Sequence, residues 1–113
     1  MFYVLINQQG ITAHEVNEMI TLKMMQNLVG VEGEPACIEV ASYRSYSDKS
    51  IVMICDDEFL RKDYNPTCYT IEGNIIHGQV LVLGTDKANE DFGFLTLAQV
   101  EIVKRETKLC KKR

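Results

Sequence analysis

The chain reads as a single α+β domain: a mostly antiparallel sheet of about five or six strands with one or two short helices. Three observations lead there. Short β-prone runs recur along the chain, separated by turn signals. Only two stretches, about 21–29 and 97–106, combine helical apolar spacing with an N-cap signal. Finally, 113 residues with 46% apolar side chains suffice for one core, and no composition break marks a second domain. The domain is assigned to residues 1–106, with 107–113 as a basic C-terminal tail.

The opening run FYVLIN (2–7) is rich in aromatic and β-branched residues, and QQG then turns the chain. ITAHEV (11–16) follows as the second arm of a hairpin, half-polar as an edge strand would be. The first ten residues carry neither a basic leader nor a small-residue cleavage site, so a strand is expected there rather than a signal peptide. In the first helix Thr21 is the N-cap, and Ile20 with Met25 forms a hydrophobic staple. Leu22, Met25 and Val29 fall on one face, which Met24 and Leu28 widen. Gly30 is expected to end the helix with a positive φ. The methionines could form an adaptable binding stripe, but core packing explains them more simply.

ACIEVASY (36–43) and SIVMIC (50–55) are the strongest strands, joined by the polar connection RSYSDK. Ile51 to Ile54 are apolar without alternation, which predicts a central strand covered on both faces. RKDYNPTCYT (61–70) is expected to be irregular, because Asn65–Pro66 signals a turn and Pro66 cannot donate to a ladder. Val80 to Leu83 form a further strand, His77 belongs to a bend before it, and KANEDFGF is an acidic loop. In the last helix Thr96 and Gln99 form a capping box, Leu95 and Val100 a staple, and Glu101 with Arg105 an i, i+4 pair.

Charge is unevenly spread. The net charge is −4, but the last ten residues carry six basic side chains and one acid. That net of +5 leaves −9 for residues 1–103, and such a body disfavours nucleic acid on the folded surface. The tail is expected to be frayed and solubilising. No run approaches a transmembrane helix. The four cysteines make no CxxC pair, so free thiols are expected and structural zinc is not.

Candidate chemistry is sparse. Asp56, Asp57 and Glu58 follow the central strand, and Glu90 with Asp91 form a second acidic cluster. Consecutive residues in an extended chain point to opposite faces, so at most Asp56 and Glu58 converge, which argues against a metal site. A solvated turn or a functional acidic patch remains. Cys55 or Cys68 with His77 could in principle form a nucleophilic pair, but no local catalytic signature supports one. No glycine pattern cradles phosphate. Tyr43 and Tyr46 flank Arg44 in a loop, where tyrosines can anchor an interface. Arg44, Arg61 and Lys62 are the body's only loop-clustered cations.

The segments LKMMQNLVG, CIEV, IVMICDDEFL, NP, IIHGQVLVLG and EDFGFLTLAQV occur in an order that resembles a family of short uncharacterised proteins. That family is a domain of unknown function from bacteriophages and mobile elements of Firmicutes and related bacteria. The similarity spans roughly residues 20–100; Gly30-Val31 replaces the family's double glycine, and DDEF replaces its NEeG stretch. The resemblance implies a phage or mobile-element origin and the cytoplasm of a bacterial host cell. It brings no catalytic residue and implies no cofactor or metal.

The leading expectation is therefore a non-enzymatic accessory protein that binds and inhibits or modulates a host protein, by analogy with small acidic inhibitors of restriction and CRISPR nucleases. Asp56, Asp57, Glu58, Glu90 and Asp91 would supply charge to a basic groove, with Tyr43 and Tyr46 as anchors. A homodimer is compatible with this, and neither a membrane nor direct nucleic-acid contact is expected. The alternatives are a protein that sequesters a small molecule such as a nucleotide signal, and a small metal- or cysteine-dependent enzyme.

Overall fold

Phe2–Asn7 forms strand β1 and Gly10–Glu15 forms β2, joined by the two-residue turn Gln8–Gln9. Their register runs from Phe2 opposite Glu15 to Asn7 opposite Gly10. So tight a turn needs an unusual backbone at its exit, and Gly10 supplies it with φ +125°. The Asn7 Oδ1 closes the turn by accepting from the Gln9 N–H at 2.9 Å. The computed structural model describes residues 1–18, 20–30, 37–42, 46–58, 64–86 and 91–110.

The remaining elements are α1 (Leu22–Val29), β3 (Ile38–Ser42), β4 (Ile51–Asp56), β5 (Pro66–Tyr69), β6 (Ile75–His77), β7 (Val80–Asp86), β8 (Asp91–Gly93), α2 (Leu97–Glu106) and β9 (Lys108–Leu109). The main sheet has the order β2-β1-β7-β4-β3, with β8 added to the outer half of β7. Every pairing in it is antiparallel. A smaller antiparallel sheet has the order β6-β5-β9. The chain is a single α+β domain. No helix among the described residues is long and apolar enough to cross a membrane.

β4 explains the layering. All six of its residues are buried, as its unbroken apolar run predicts. Val52 and Ile54 pack with Leu81, Leu83 and the α1 residues Met25 and Val29. Ile51, Met53 and Cys55 point the other way, into a cluster with Val100 and Val103 of α2 and Cys68 and Ile76 of the small sheet. The main sheet is thus sandwiched between α1 and a layer made of α2 and the second sheet.

Both helix starts follow their sequence signals. Thr21 Oγ1 accepts from the Met24 N–H at 3.1 Å, and Ile20 packs into the cluster around Met25. Thr96 and Gln99 form the full capping box, and Leu95 and Val100 are buried. Leu22 departs from expectation: it is 58% exposed, because it sits in the first turn and side chains lean toward a helix's N-terminus. Gly30 also departs. Its φ of −73° and ψ of 174° are extended, so it ends α1 without the left-handed conformation. Arg105 bridges to its neighbour Glu106 at 3.6 Å, in place of the expected i, i+4 partner.

Three segments carry more structure than expected. Residues 66–69 are a strand, not an irregular stretch, because Pro66 occupies its first position, where a missing donor is tolerated. Lys108 and Leu109 pair with Tyr69 and Cys68, and the Cys110 N–H reaches the Thr67 carbonyl at 2.9 Å, so this part of the tail is strand rather than frayed end. Asp91–Gly93 pairs with β7 instead of forming loop.

Candidate functional site

At one end of the main sheet, β1 finishes at Asn7, β7 starts at Val80 and β4 finishes at Asp56. The register places Ile6 beside Val80 and Leu81 beside Ile54, so these three ends are neighbours. The chain turns at these ends, and turns favour Gly, Pro and Asn, as at Asn7, Asn65, Pro66 and Gly78. The result is a cavity of about 340 Å³ lined by Asn7, Gln8, Gln9, Asn65 and Gln79, together with Val29, Tyr64, Thr67 and Gly78. A second space of about 150 Å³ shares Asn7, Gln8, Gln9 and Thr67 and extends the first toward Pro66, Leu109 and Cys110.

Five residues with carboxamide side chains therefore line one region, and the side chains of Asn7, Gln8 and Gln79 are hydrogen-bonded to the backbone. The Gln8 Nε2 donates to the Pro66 carbonyl at 2.8 Å, tying the hairpin turn to the small sheet. The Gln79 Nε2 donates to the Leu28 carbonyl at 3.0 Å, satisfying one of the helix-end acceptors of α1. The Thr67 hydroxyl donates to the Gly78 carbonyl.

Tyr64 is the one aromatic side chain among the described lining residues. Its hydroxyl donates to Asp56 Oδ2 at 3.4 Å, and the His77 Nδ1 lies 2.8 Å from its carbonyl. Behind the ring, Gly78 has φ +82°, and a Cβ there would come within 2.6 Å of the ring's Cδ2. Glycine is required on both counts, backbone and space. A further groove of about 370 Å³ on the α1 side, lined by Met1, Ile20, Met25, Phe92 and Phe94 with Glu18, offers a polar ligand little to orient it.

Of the described acidic residues singled out by sequence, Asp56 contributes no exposed charge. Asp56 is only 1% exposed. Its Oδ1 accepts from the Glu58 N–H at 2.9 Å and its Oδ2 from Tyr64, so it closes the turn after β4 and braces the cavity wall from behind. Asp57 is exposed, and Glu58 is partly buried. Asp91 enters the strand β8, with its backbone opposite Asp86. Tyr43 and Glu90 lie outside the described residues, as do Arg44, Arg61 and Lys62.

Tyr46 is 3% exposed, with its hydroxyl 2.8 Å from Thr107 Oγ1. Burial raises its phenol above the ordinary tyrosine range. Its side chain is held within the fold against Thr107.

The nucleophilic pairing is disfavoured on physical grounds. Cys55 and Cys68 are fully buried, and burial pushes each thiol up to about 12. Both are thiols at neutral pH, whereas attack needs a thiolate. Cys37 is exposed and Cys110 partly so, and all four cysteines are free. Among the described residues no three His, Cys, Asp or Glu side chains come together to hold a metal ion.

Sequence reasoning missed the carboxamides. Gln8, Gln9 and Asn65 fall in turn signals, whereas Asn7 ends a predicted strand and Gln79 precedes one; nothing local marks the five as a group, and the sheet pairings bring them together.

The model of a family described as "Domain of unknown function (DUF3846)" matches residues 1–108. The matched stretch takes in both sheets and both helices, up to the first residue of β9. No curated protein and no solved structure matches the chain. With nearly its whole length matched, the chain belongs to the DUF3846 family of domains of unknown function.

Proposed function

We propose that this protein is a binding module that holds a small polar ligand in the sheet-end cavity and performs no chemistry on it. The observation that carries this reading is the set of five carboxamide residues lining about 340 Å³ of space, three of them held by backbone partners. Small-ligand sites favour a few oriented polar groups beside an aromatic or apolar wall, here Tyr64 and Val29. In the phage or mobile-element setting that the sequence resembles, such a module would sequester a host small molecule, a nucleotide signal among the candidates. The test is a thermal-shift panel of neutral and charged polar metabolites, with cyclic and linear nucleotides included. A ligand at about 100 times its Kd adds about 2.7 kcal/mol, which raises Tm by roughly 10 °C in a domain of this size. A flat panel overturns the reading.

A second reading, inhibition of a host protein such as a defence nuclease, draws on Glu39 and Asp57. Both are exposed, and both lie close enough to Cys55 for their charge to help raise its thiol. Binding of that kind would weaken steeply between low and high salt and after a Glu39→Ala/Asp57→Ala double substitution; salt-insensitive capture would count against it.

A further inference from the structure

We infer that the outer face of the second sheet is a docking surface for another copy of this chain, packed about a two-fold axis. The first observation is exposed apolar surface. Cys68 of β5 and Ile76 of β6 stand opposite one another and are buried in the core. Side chains alternate along a strand, so their neighbours Tyr69 and Ile75 turn to the outer face, again directly opposite each other. They are 38% and 42% exposed. The turn that joins the two strands continues the patch. The Gly73 N–H donates to the Thr70 carbonyl at 3.0 Å, which places Ile71 and Glu72 at the two central positions. Ile71 is 66% exposed there, more than any other large apolar side chain among the described residues. Turn centres favour Gly, Pro, Asn and Asp, so the fold itself does not call for an isoleucine at this position.

The second observation is charge, and it selects the occupant. Lys108 of β9 pairs with Tyr69 on the side away from Ile75, so Lys108, Tyr69 and Ile75 form a row across the three strands. Lys108 is exposed, and so is Glu72 in the turn. The row thus has a cation at its β9 end and a carboxylate beside its β6 end. A two-fold axis parallel to the strands, lying between two such faces, reverses the row. Lys108 of each copy then meets the Ile75 and Glu72 end of the other, and the apolar centres cover one another. A face carrying one sign alone would not be complementary to itself. Net charge points the same way. Residues 1–103 carry −9, so two bodies repel, whereas the last ten residues, which include Lys108, carry +5. Contact at β9 sets the basic stretch of each copy against the acidic body of the other.

Area sets the strength. The face is three strands wide, and those strands are only two to four residues long. That falls short of the roughly 800 Å² per partner of a standard interface. The dimer is therefore weak, forming between micromolar and millimolar concentration and exchanging with monomer. An anionic membrane is the other surface that apolar and basic groups together suit, but Glu72 within the patch and the −9 of the body oppose it. None of Tyr69, Ile71, Glu72, Ile75 and Lys108 lines the sheet-end cavity, so this face stands or falls separately from the ligand reading.

The experiment is analytical ultracentrifugation of the full chain from micromolar to millimolar concentration. Ile71→Ser, Lys108→Glu, Glu72→Lys and the Lys108→Glu/Glu72→Lys double variant are run beside it, with backbone NMR spectra verifying that each is folded. The expected result is a monomer–dimer equilibrium. Ile71→Ser should weaken it about tenfold or more, through lost apolar burial in both copies. Each single charge reversal should weaken it about tenfold, because the contact occurs twice in a two-fold dimer. The double variant restores opposite signs and should return to within about threefold of the unsubstituted chain. A chain that stays monomeric at millimolar concentration overturns the inference, as does one that instead sediments with vesicles of phosphatidylcholine and phosphatidylglycerol. A dimer indifferent to Ile71→Ser lies on another face and overturns this one. A double variant no tighter than its two parents, or assembly beyond a dimer, overturns the two-fold pairing.

Discussion

Individual polar residues do more internal work here than their chemistry suggests. Asp56 and Tyr46 have the composition of a recognition surface, yet one closes a turn behind Tyr64 and the other is buried against Thr107. Gly78 is the most constrained single position at the site. A Gly78→Ala change imposes a left-handed φ on a residue with a Cβ and drives that Cβ into a tyrosine ring held by its own hydrogen bond. We expect it to cost about 1–3 kcal/mol, read as a lower urea midpoint with unchanged slope. Because the ring must move, the same substitution should weaken any ligand of the cavity by more than its stability cost alone predicts. Nothing in the residues around Gly78 announces this, since its clash partner lies fourteen positions earlier and is brought close only by the fold.

At the scale of elements, α2 shows how a legible helix acquires illegible attachments. Its capping box can be read from Thr96 and Gln99, and the structure contains it. Gln99 also reaches across to the turn before β4, donating through Nε2 to Ser50 Oγ at 2.9 Å and to Asp48 Oδ2 at 3.3 Å. At the other end of the helix, the Ser47 N–H and hydroxyl both donate to the Glu106 carboxylate, and these bonds hold that carboxyl below its ordinary range. The 46–50 segment is thus fastened along the whole length of α2. Thr96→Ala should cost about 1 kcal/mol, the ordinary loss for an N-cap. Gln99→Ala removes the box and the cross-link together and should cost roughly twice that, as measured by urea unfolding of both variants.

The strands divide in the same way. β1, β2, β4, β7 and the body of β3 announce themselves by composition. β5, β6, β8 and β9 are two to four residues long, and their pairing partners, not their own sequence, make them strands. β5 is the clearest case: one of its neighbours, β9, comes from the other end of the chain.

For the whole molecule, the buried thiols set an alkaline limit. The Cys55 and Cys68 thiols stand at about 12 in the folded chain, against an ordinary value of 9.0. Below about pH 9 both folded and unfolded chains keep these protons, so the contribution to stability is complete. Above it the unfolded chain releases protons that the folded chain retains, so stability falls until about pH 12. The slope is at most about 1.4 kcal/mol per pH unit for each thiol. Tyr46, raised from 10.0, steepens the fall at the upper end. The urea midpoint should therefore be clearly lower at pH 10.5 than at pH 8, and Cys68→Ala should flatten that dependence. A midpoint that stays level across this range would show that the thiols are reached by solvent.

Sequence alone determined the class of fold, the two helices with their N-caps, the central buried strand and the unequal distribution of charge. All of these follow from interactions within a few residues or from simple counting. The side on which Asp56 and Tyr46 lie, the existence of the second sheet and the gathering of Asn7, Gln8, Gln9, Asn65 and Gln79 were decided only by tertiary structure. These depend on which strands pair and in what register. Such pairings join residues tens of positions apart, and their free energy comes from burying shared surface, which no local stretch of the chain encodes.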